Sequence, residues 1–253
     1  MSDPQPLAGR VAVITGASRG LGRAMAVALA GAGADIVAAG RAKPDLEETV
    51  RLVEGLGRRA LAAPTDVASY GEVEALVQRS LDEMGGLDIL VNNSGIVRVA
   101  PLEEWSPAEW RTLFDVNVLG VLNGCRAAAP HLTARRCGKV INIASVLAAV
   151  GLPGYAVYSA TKGAIIALTR ALAVEWARHN IQVNAIAPGW FDTEMSAAAW
   201  RDPKLTERLV RDIPARRIGR PSEVGPLAVY LASAASDFMS GQTIFLDGGH
   251  SAA

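Results

Sequence analysis

Val11-Ala12-Val13-Ile14-Thr15-Gly16-Ala17-Ser18-Arg19-Gly20-Leu21-Gly22 begins as a short apolar run and ends on glycines at 16, 20 and 22, ahead of an alanine-rich helical pattern. The apolar run predicts a buried strand. The glycines let the backbone turn tightly and come close to a pyrophosphate, and the free amides of the following helix start attract its negative charge. The glycine spacing departs from the common G-x-G-x-x-G form. On its own the segment could equally be a plain tight turn.

Outward from this turn, β-branched runs recur between longer helical patterns: Ile36 to Ala39, Ile89 to Val91, Val140 to Ala144, Ile181 to Ile186 and Thr243 to Leu246. This alternation predicts βαβ units in a parallel sheet with helices on both faces. The clearest helix runs from about Tyr155 to Arg178, with Ile165, Leu168, Leu172 and Trp176 as its buried stripe, and ends near His179 and Asn180. No repeat, linker or low-complexity tract divides the 253 residues, so the whole chain is expected to be one domain. Residues 190–215 interrupt the rhythm and are expected to form a substrate loop.

The 25 basic and 25 acidic side chains cancel, leaving no field to attract nucleic acid or an anionic membrane. A small molecule is the expected partner. Cys125 and Cys137 form no C-x-x-C pair, and His131, His179 and His250 are scattered, with surface or helix-end roles expected. Neither a disulfide scaffold nor a metal site is expected. Met1 to Arg10 lacks the basic start and apolar run of a secretory signal, and no uninterrupted membrane-length apolar stretch is present. The cytoplasm is the expected location.

Tyr158 and Lys162 stand four apart near the start of the best helix and project from one face. A nearby ammonium favours phenolate and would lower the tyrosine pKa, which suits a general acid/base. Tyr155, three residues earlier, has no lysine at the matching position. Ser145 follows the apolar strand Val140 to Ala144, at the end where open α/β sheets place ligands.

Together these features resemble the compact, single-domain short-chain dehydrogenase/reductase family over nearly the whole chain, with similarity to 3-oxoacyl carrier-protein reductases and gluconate or deoxygluconate dehydrogenases. The resemblance rests on Thr15 to Gly22, Asp66, Asn92-Asn93-Ser94-Gly95, Asn117, Ser145, Tyr158 with Lys162, Pro188-Gly189 followed by Thr193, and Asp247-Gly248-Gly249. Ser94 departs from the family's usual alanine. The resemblance implies a Rossmann-type, doubly wound, seven-stranded parallel sheet, and a hydride transfer between a nicotinamide cofactor and a ketone or secondary alcohol. By resemblance, Tyr158 exchanges the proton, Ser145 holds the reacting oxygen, Lys162 bonds the cofactor ribose, and Asn117 maintains a water-linked proton path. The cofactor contacts implied are Gly16, Ser18, Arg19, Gly20, Leu21 and Gly22 at the turn, with Asp66 on the adenine amino group and Val67 beside it. Asn93 is implied on the ribose side, Thr193 at the carboxamide, and Gly189 and Phe191 alongside, together with Tyr158 and Lys162. A homotetramer is also implied, with Ala160, Ala164, Ala167 and Ala171 suited to close helix approach.

Cofactor choice turns on the end of the second strand, where NAD-preferring members carry an acid for the ribose hydroxyls. Counting from Asp35 puts Gly40 at that position. Arg41 follows, and with Arg19 it could hold a 2′-phosphate through charge-assisted hydrogen bonds, so NADP(H) is favoured and NAD(H) is the alternative. Val146, Leu147, Ala148, Ala149, Val150, Trp190, Phe191, Met195 and Trp200 offer apolar surface for a neutral carbonyl or alcohol substrate, with carbonyl reduction favoured. An NAD-linked sugar-acid dehydrogenase and a silent dinucleotide-binding regulator are the competing readings. A sugar-nucleotide epimerase would need an extra substrate domain.

Overall fold

The computed structural model describes residues 5–197 and 203–253, with residues 203–205 described in the backbone alone. Trp200 therefore lies outside the described residues. Seven strands form one sheet: β1 Val11–Thr15, β2 Asp35–Gly40, β3 Ala60–Pro64, β4 Ile89–Asn92, β5 Gly138–Ile143, β6 Ile181–Pro188 and β7 Thr243–Leu246. All pairings are parallel, in the spatial order β3-β2-β1-β4-β5-β6-β7. Val11 pairs with Asp35 on one side of β1, and Ala12 with Ile89 on the other. The chain thus winds outward in both directions from β1 and β4, and a crevice opens where their carboxyl ends part.

Side-chain alternation divides the core between the two faces of the sheet. Ile14, Ile36, Val91, Ile141 and Ile186 pack beneath α1 (Gly20–Gly31), α2 (Lys43–Glu54) and a late helix, Gly225–Ala232. Val13, Val37, Leu90, Val140 and Val183 face the other way, towards α3 (Tyr70–Arg79), the helix Gly120–Arg135 and the long helix Ala156–Trp176. In chain order these are α5 and α6, since α4 is Pro107–Phe114. The remaining helices are α7, Pro203–Asp212, and α8, Gly225–Ala232. β3 is the strand with no β-branched run. Its sequence, Ala60-Leu61-Ala62-Ala63-Pro64, suits an edge position because Pro64 has no amide to donate.

Helix α6 begins one residue later than expected, and a single 3-10 turn, Ala177–His179, carries it to Asn180 in the left-handed conformation (φ 54°). Its buried row is Tyr158, Thr161, Lys162, Ile165, Thr169, Ala173 and Trp176. Leu168 and Leu172, expected in that row, are only partly buried at its edge. The segment Ala156–His179 is long and apolar enough to cross a membrane by composition, with a mean hydropathy of 1.2. In the fold it is a core helix whose buried side includes Lys162 and two threonines. Buried amides tie that helix to the sheet: Asn92 Nδ2 donates to Asn142 Oδ1 at 2.9 Å, and Asn142 Nδ2 donates to Thr169 Oγ1 at 3.0 Å. His250, expected at the surface or a helix end, opens the 3-10 turn His250–Ala252 and is buried, with no hydrogen-bond partner for Nδ1.

Candidate active site

The turn between β1 and α1 needs its glycines for two separate reasons. Gly16 and Gly20 have φ of 65° and 55°, a region L side chains enter only at a cost. Gly22 has an ordinary φ, but a Cβ there would overlap the carbonyl oxygen of Gly16. No acidic residue occupies the first turn of α1 and no side chain caps it, so its leading amides are free to bind an anion. That open amide cradle fits the pyrophosphate of a dinucleotide.

Gly16, Ser18, Arg19, Gly20, Leu21 and Gly22 line one side of a cleft of about 710 Å³, which also takes in Arg41, Asp66, Val67, Asn93, Ser145, Tyr158, Lys162, Gly189, Phe191 and Thr193. β2 ends at Gly40, with Arg41 exposed just beyond it. Asp35, at the opposite end of that strand, is held by Arg58 at 2.6 Å. Asp66 follows β3, and its Oδ1 accepts from the Ala68 amide at 3.0 Å. Asn93 lines the cleft, and its side chain has a bracing part that the sequence did not show. Its Nδ2 donates to the Thr15 and Gly16 carbonyls, each at 3.0 Å, so the side chain braces the glycine turn. Thr15, which the sequence marked as part of the turn without a role of its own, takes the amides of Asn93 and Ser94 on its Oγ1 at 3.0 and 3.1 Å.

The floor of the cleft is buried. Ser145 follows β5 with its Oγ accepting from the Leu147 amide at 3.2 Å, and α6 brings Tyr158 and Lys162 to it. Lys162 Nζ donates to the Ile143 carbonyl at 2.7 Å. An ammonium has three donors, so two remain for hydroxyl groups in the cleft. Burial lowers the Lys162 pKa to about 8. Tyr158 moves the other way from the sequence expectation. Burial pushes it up to about 12, against the opposing pull of the Ser145 hydroxyl. Lys162 Nζ lies 5.8 Å from the Tyr158 ring centroid and spends a donor on the backbone, so its charge does not overcome the loss of water around the phenol.

Asn117 is fully buried in a π-helical turn, Asp115–Leu119, between α4 and α5, and does not line the cleft. Its Oδ1 accepts from the Ile96 amide at 2.8 Å, while Nδ2 donates to the Ile96 carbonyl at 2.9 Å and Thr161 Oγ1 at 3.2 Å. The side-chain amide is therefore used as a brace between the loop after β4 and the start of α6. Thr161 passes the connection on by donating to the Tyr158 carbonyl at 2.7 Å. Its position beside Lys162 on α6 was the available signal, and a threonine in a helix is too common to have marked it.

The substrate end is walled by Val97, Val99, Val146, Leu147, Tyr155, Trp190 and Met195. Tyr155 meets Tyr158 and Trp190 edge to face, with centroids 6.5 and 6.1 Å away. Of the other residues expected there, Phe191 lines the cleft but is largely buried, Val150 packs into the apolar cluster with Leu147 and Val157, and Ala148 and Ala149 open onto a different surface, with Ile166, Arg170 and Val174. No group of three histidines, cysteines or acids able to hold a metal occurs among the described residues.

This constellation of a glycine-turn anion cradle, a strand-end serine and a buried tyrosine–lysine pair defines a nicotinamide-dependent oxidoreductase acting on CH–OH and C=O groups. The chain belongs to the short-chain dehydrogenase/reductase family: a family model described as enoyl-(acyl carrier protein) reductase matches residues 16–251. It is 42% identical to gluconate 5-dehydrogenase of Gluconobacter oxydans over 98% of both chains. It is also 40% identical to 3beta-hydroxysteroid dehydrogenase 1 of Eggerthella lenta, over 96% of this chain and 94% of that one. The structure of a gluconate 5-dehydrogenase from Burkholderia cenocepacia in complex with NADP and tartrate matches with a TM-score of 0.95 and 43% identity, covering 99% and 98% of the two chains.

Proposed function

We propose that this protein is an NADP(H)-dependent carbonyl reductase for a neutral ketone with an apolar body, and that it acts as a single domain. The observation that carries the substrate class is the apolar wall facing Ser145 and Tyr158. Among the described residues that line the substrate end, Lys162 supplies the only cation, and it is bonded to Ile143. Sugar-acid recognition would call for a second one to meet the carboxylate. Gly40 at the end of β2, with Arg19 and Arg41 beside the cleft, supports the choice of NADP(H).

In this reading the bound nicotinamide supplies the hydride. Tyr158, protonated across the neutral range because burial raises its pKa, donates its proton to the carbonyl oxygen. A protonated phenol suits reduction, whereas alcohol oxidation needs the phenolate. Ser145 holds the same oxygen, and the two free donors of Lys162 hold the ribose hydroxyls. Asn117 acts through Ile96 and Thr161 to fix the loop after β4 and the start of α6. Asp66 and Val67 take the adenine end, and Gly189, Phe191 and Thr193 close over the nicotinamide end.

We assign the working form to a cytoplasmic homotetramer. Ala160, Ala167 and Ala171 are exposed on α6, and Trp110, Phe114, Leu119 and Leu122 are exposed along the α4–α5 segment, apolar surface that a second copy would cover. Light scattering at micromolar concentration tests this, and a monomer would contradict it.

The identity with gluconate 5-dehydrogenases favours a second reading, a sugar-acid dehydrogenase. A substrate panel followed at the nicotinamide absorbance band, with each cofactor in turn, separates the two. Turnover of apolar ketones with NADPH is the expected outcome. Activity confined to charged sugar acids would overturn the substrate class, and an NADH advantage would overturn the cofactor assignment.

A further inference from the structure

We infer that Glu194 is a specificity-determining residue that competes with the cofactor's 2′-phosphate for Arg19. This rests on the proposed role of Arg19 in NADP(H) binding and adds a residue on the opposite lip of the cleft. Arg19 precedes α1 on the glycine turn, and its Nη1 is ion-paired with Oε2 of Glu194 in the loop after β6. The two loops approach closely, since a Cβ on Gly20 would stand 3.5 Å from Thr193 Cγ2. Glu194 and Arg19 therefore form a strap across the mouth of the cofactor cleft. Arg41, the other arginine proposed for the phosphate, makes no ion pair among the described residues.

Both partners of the strap are largely exposed, with side chains 60% and 65% accessible. Such a pair is weak and exchangeable. A phosphate monoester carries close to two charges at neutral pH and three acceptor oxygens, so it displaces a single carboxylate from a guanidinium. NADP(H) thus takes Arg19 away from Glu194 and opens the strap, while NAD(H), which has no 2′-phosphate, leaves it closed. The carboxylate also repels the phosphate directly. On both counts Glu194 holds discrimination for NADP(H) below what the two arginines would give alone.

The test is fluorescence titration of NADPH and NADH against wild type, Glu194→Gln, Arg19→Ala and the double variant. The Kd for NADPH should fall about two- to fivefold in Glu194→Gln, the range of an exposed ion pair, while that for NADH stays within error. The gain should shrink as salt is raised and be clearly reduced in the Arg19→Ala background, where only the direct repulsion remains. An equal shift for both cofactors, or a gain undiminished without Arg19, overturns the inference. Wild-type preference for NADH would instead count against the NADP(H) assignment, and the change in ratio on Glu194→Gln would still decide the role of Glu194. Circular dichroism of each variant excludes misfolding, which is not expected at so exposed a position.

Discussion

The floor and the rim of the cleft are built on different physical terms. Ser145, Tyr158 and Lys162 on the floor, with Asn117 behind them, are buried; Lys162 is bonded to the end of β5 at Ile143, and Asn117 to the loop after β4 at Ile96 and to α6 at Thr161. Arg19, Arg41, Glu194 and Met195 on the rim are mostly solvent-facing, and the one ion pair among them is exchangeable. The floor has little freedom to differ from one family member to another without losing the chemistry. The rim can change cofactor and substrate while leaving that chemistry alone, which is how one fold serves many reductions.

Perturbing the floor should therefore give the largest effects. Tyr158→Phe keeps the ring and removes the proton donor, and turnover should fall by at least about 10²-fold with cofactor affinity retained. Near-normal turnover by the folded variant would sink the proposed mechanism.

Lys162 gives the floor a pH signature. Below about pH 8 both the folded and the unfolded side chain hold the proton, and the fold bears the full cost of a buried charge. As pH rises from about 8 towards the ordinary value of 10.5, the folded lysine loses its proton first and stability climbs. Tyr158 acts in a higher window. Its raised pKa stabilises the fold fully below pH 10, and that contribution is lost as pH rises through about 12. From about pH 7 to about pH 10, wild type should thus gain roughly 2 kcal/mol over Lys162→Met in urea unfolding. Parallel profiles for the two proteins would show that Lys162 is not desolvated as the structure has it.

The floor and the glycine turn beside it were the parts most legible in sequence. The turn from Thr15 to Gly22, Ser145 at a strand end and the Tyr158–Lys162 spacing each carry a local signature of their own chemistry. β3 had none, because Ala60 to Pro64 owes its place to pairing with β2 and not to intrinsic strand propensity. Bracing contacts were hidden for a similar reason. Asn93 and Thr15 are 78 residues apart, and nothing local in either marks the hydrogen bonds that join them. The Tyr158 pKa was misjudged because charge proximity shows in helical spacing, whereas loss of solvent shows only once the core is closed. The Arg19–Glu194 strap joins two loops whose approach depends on β1 and β6 lying in one sheet.

On the rim, effects should be smaller and selective. Arg41→Ala should lower the preference for NADPH over NADH about tenfold, as expected for losing one charge-assisted hydrogen bond, with turnover at saturating NADPH unchanged. Comparing kcat/KM for the two cofactors at fixed ionic strength checks it. An unchanged ratio would mean that Arg41 points to solvent when cofactor is bound.

The smallest effect is expected at Met195, which is 51% exposed at the substrate mouth and has no polar atom to position a reacting group. Its thioether can lie against a substrate only if that substrate is long enough to reach from Ser145 to the rim, and it then contributes through buried apolar area alone. Met195→Ala should therefore lower kcat/KM by about threefold to tenfold for ketones with a large apolar body, through KM more than kcat. A ketone too short to touch the rim should be processed as in wild type, and cofactor affinity and unfolding midpoint should not move. Running the two ketones side by side makes the small one an internal control for any disturbance of the floor. An equal loss on both would place Met195 in the support of the catalytic groups, and the division between floor and rim would then be wrong at this residue.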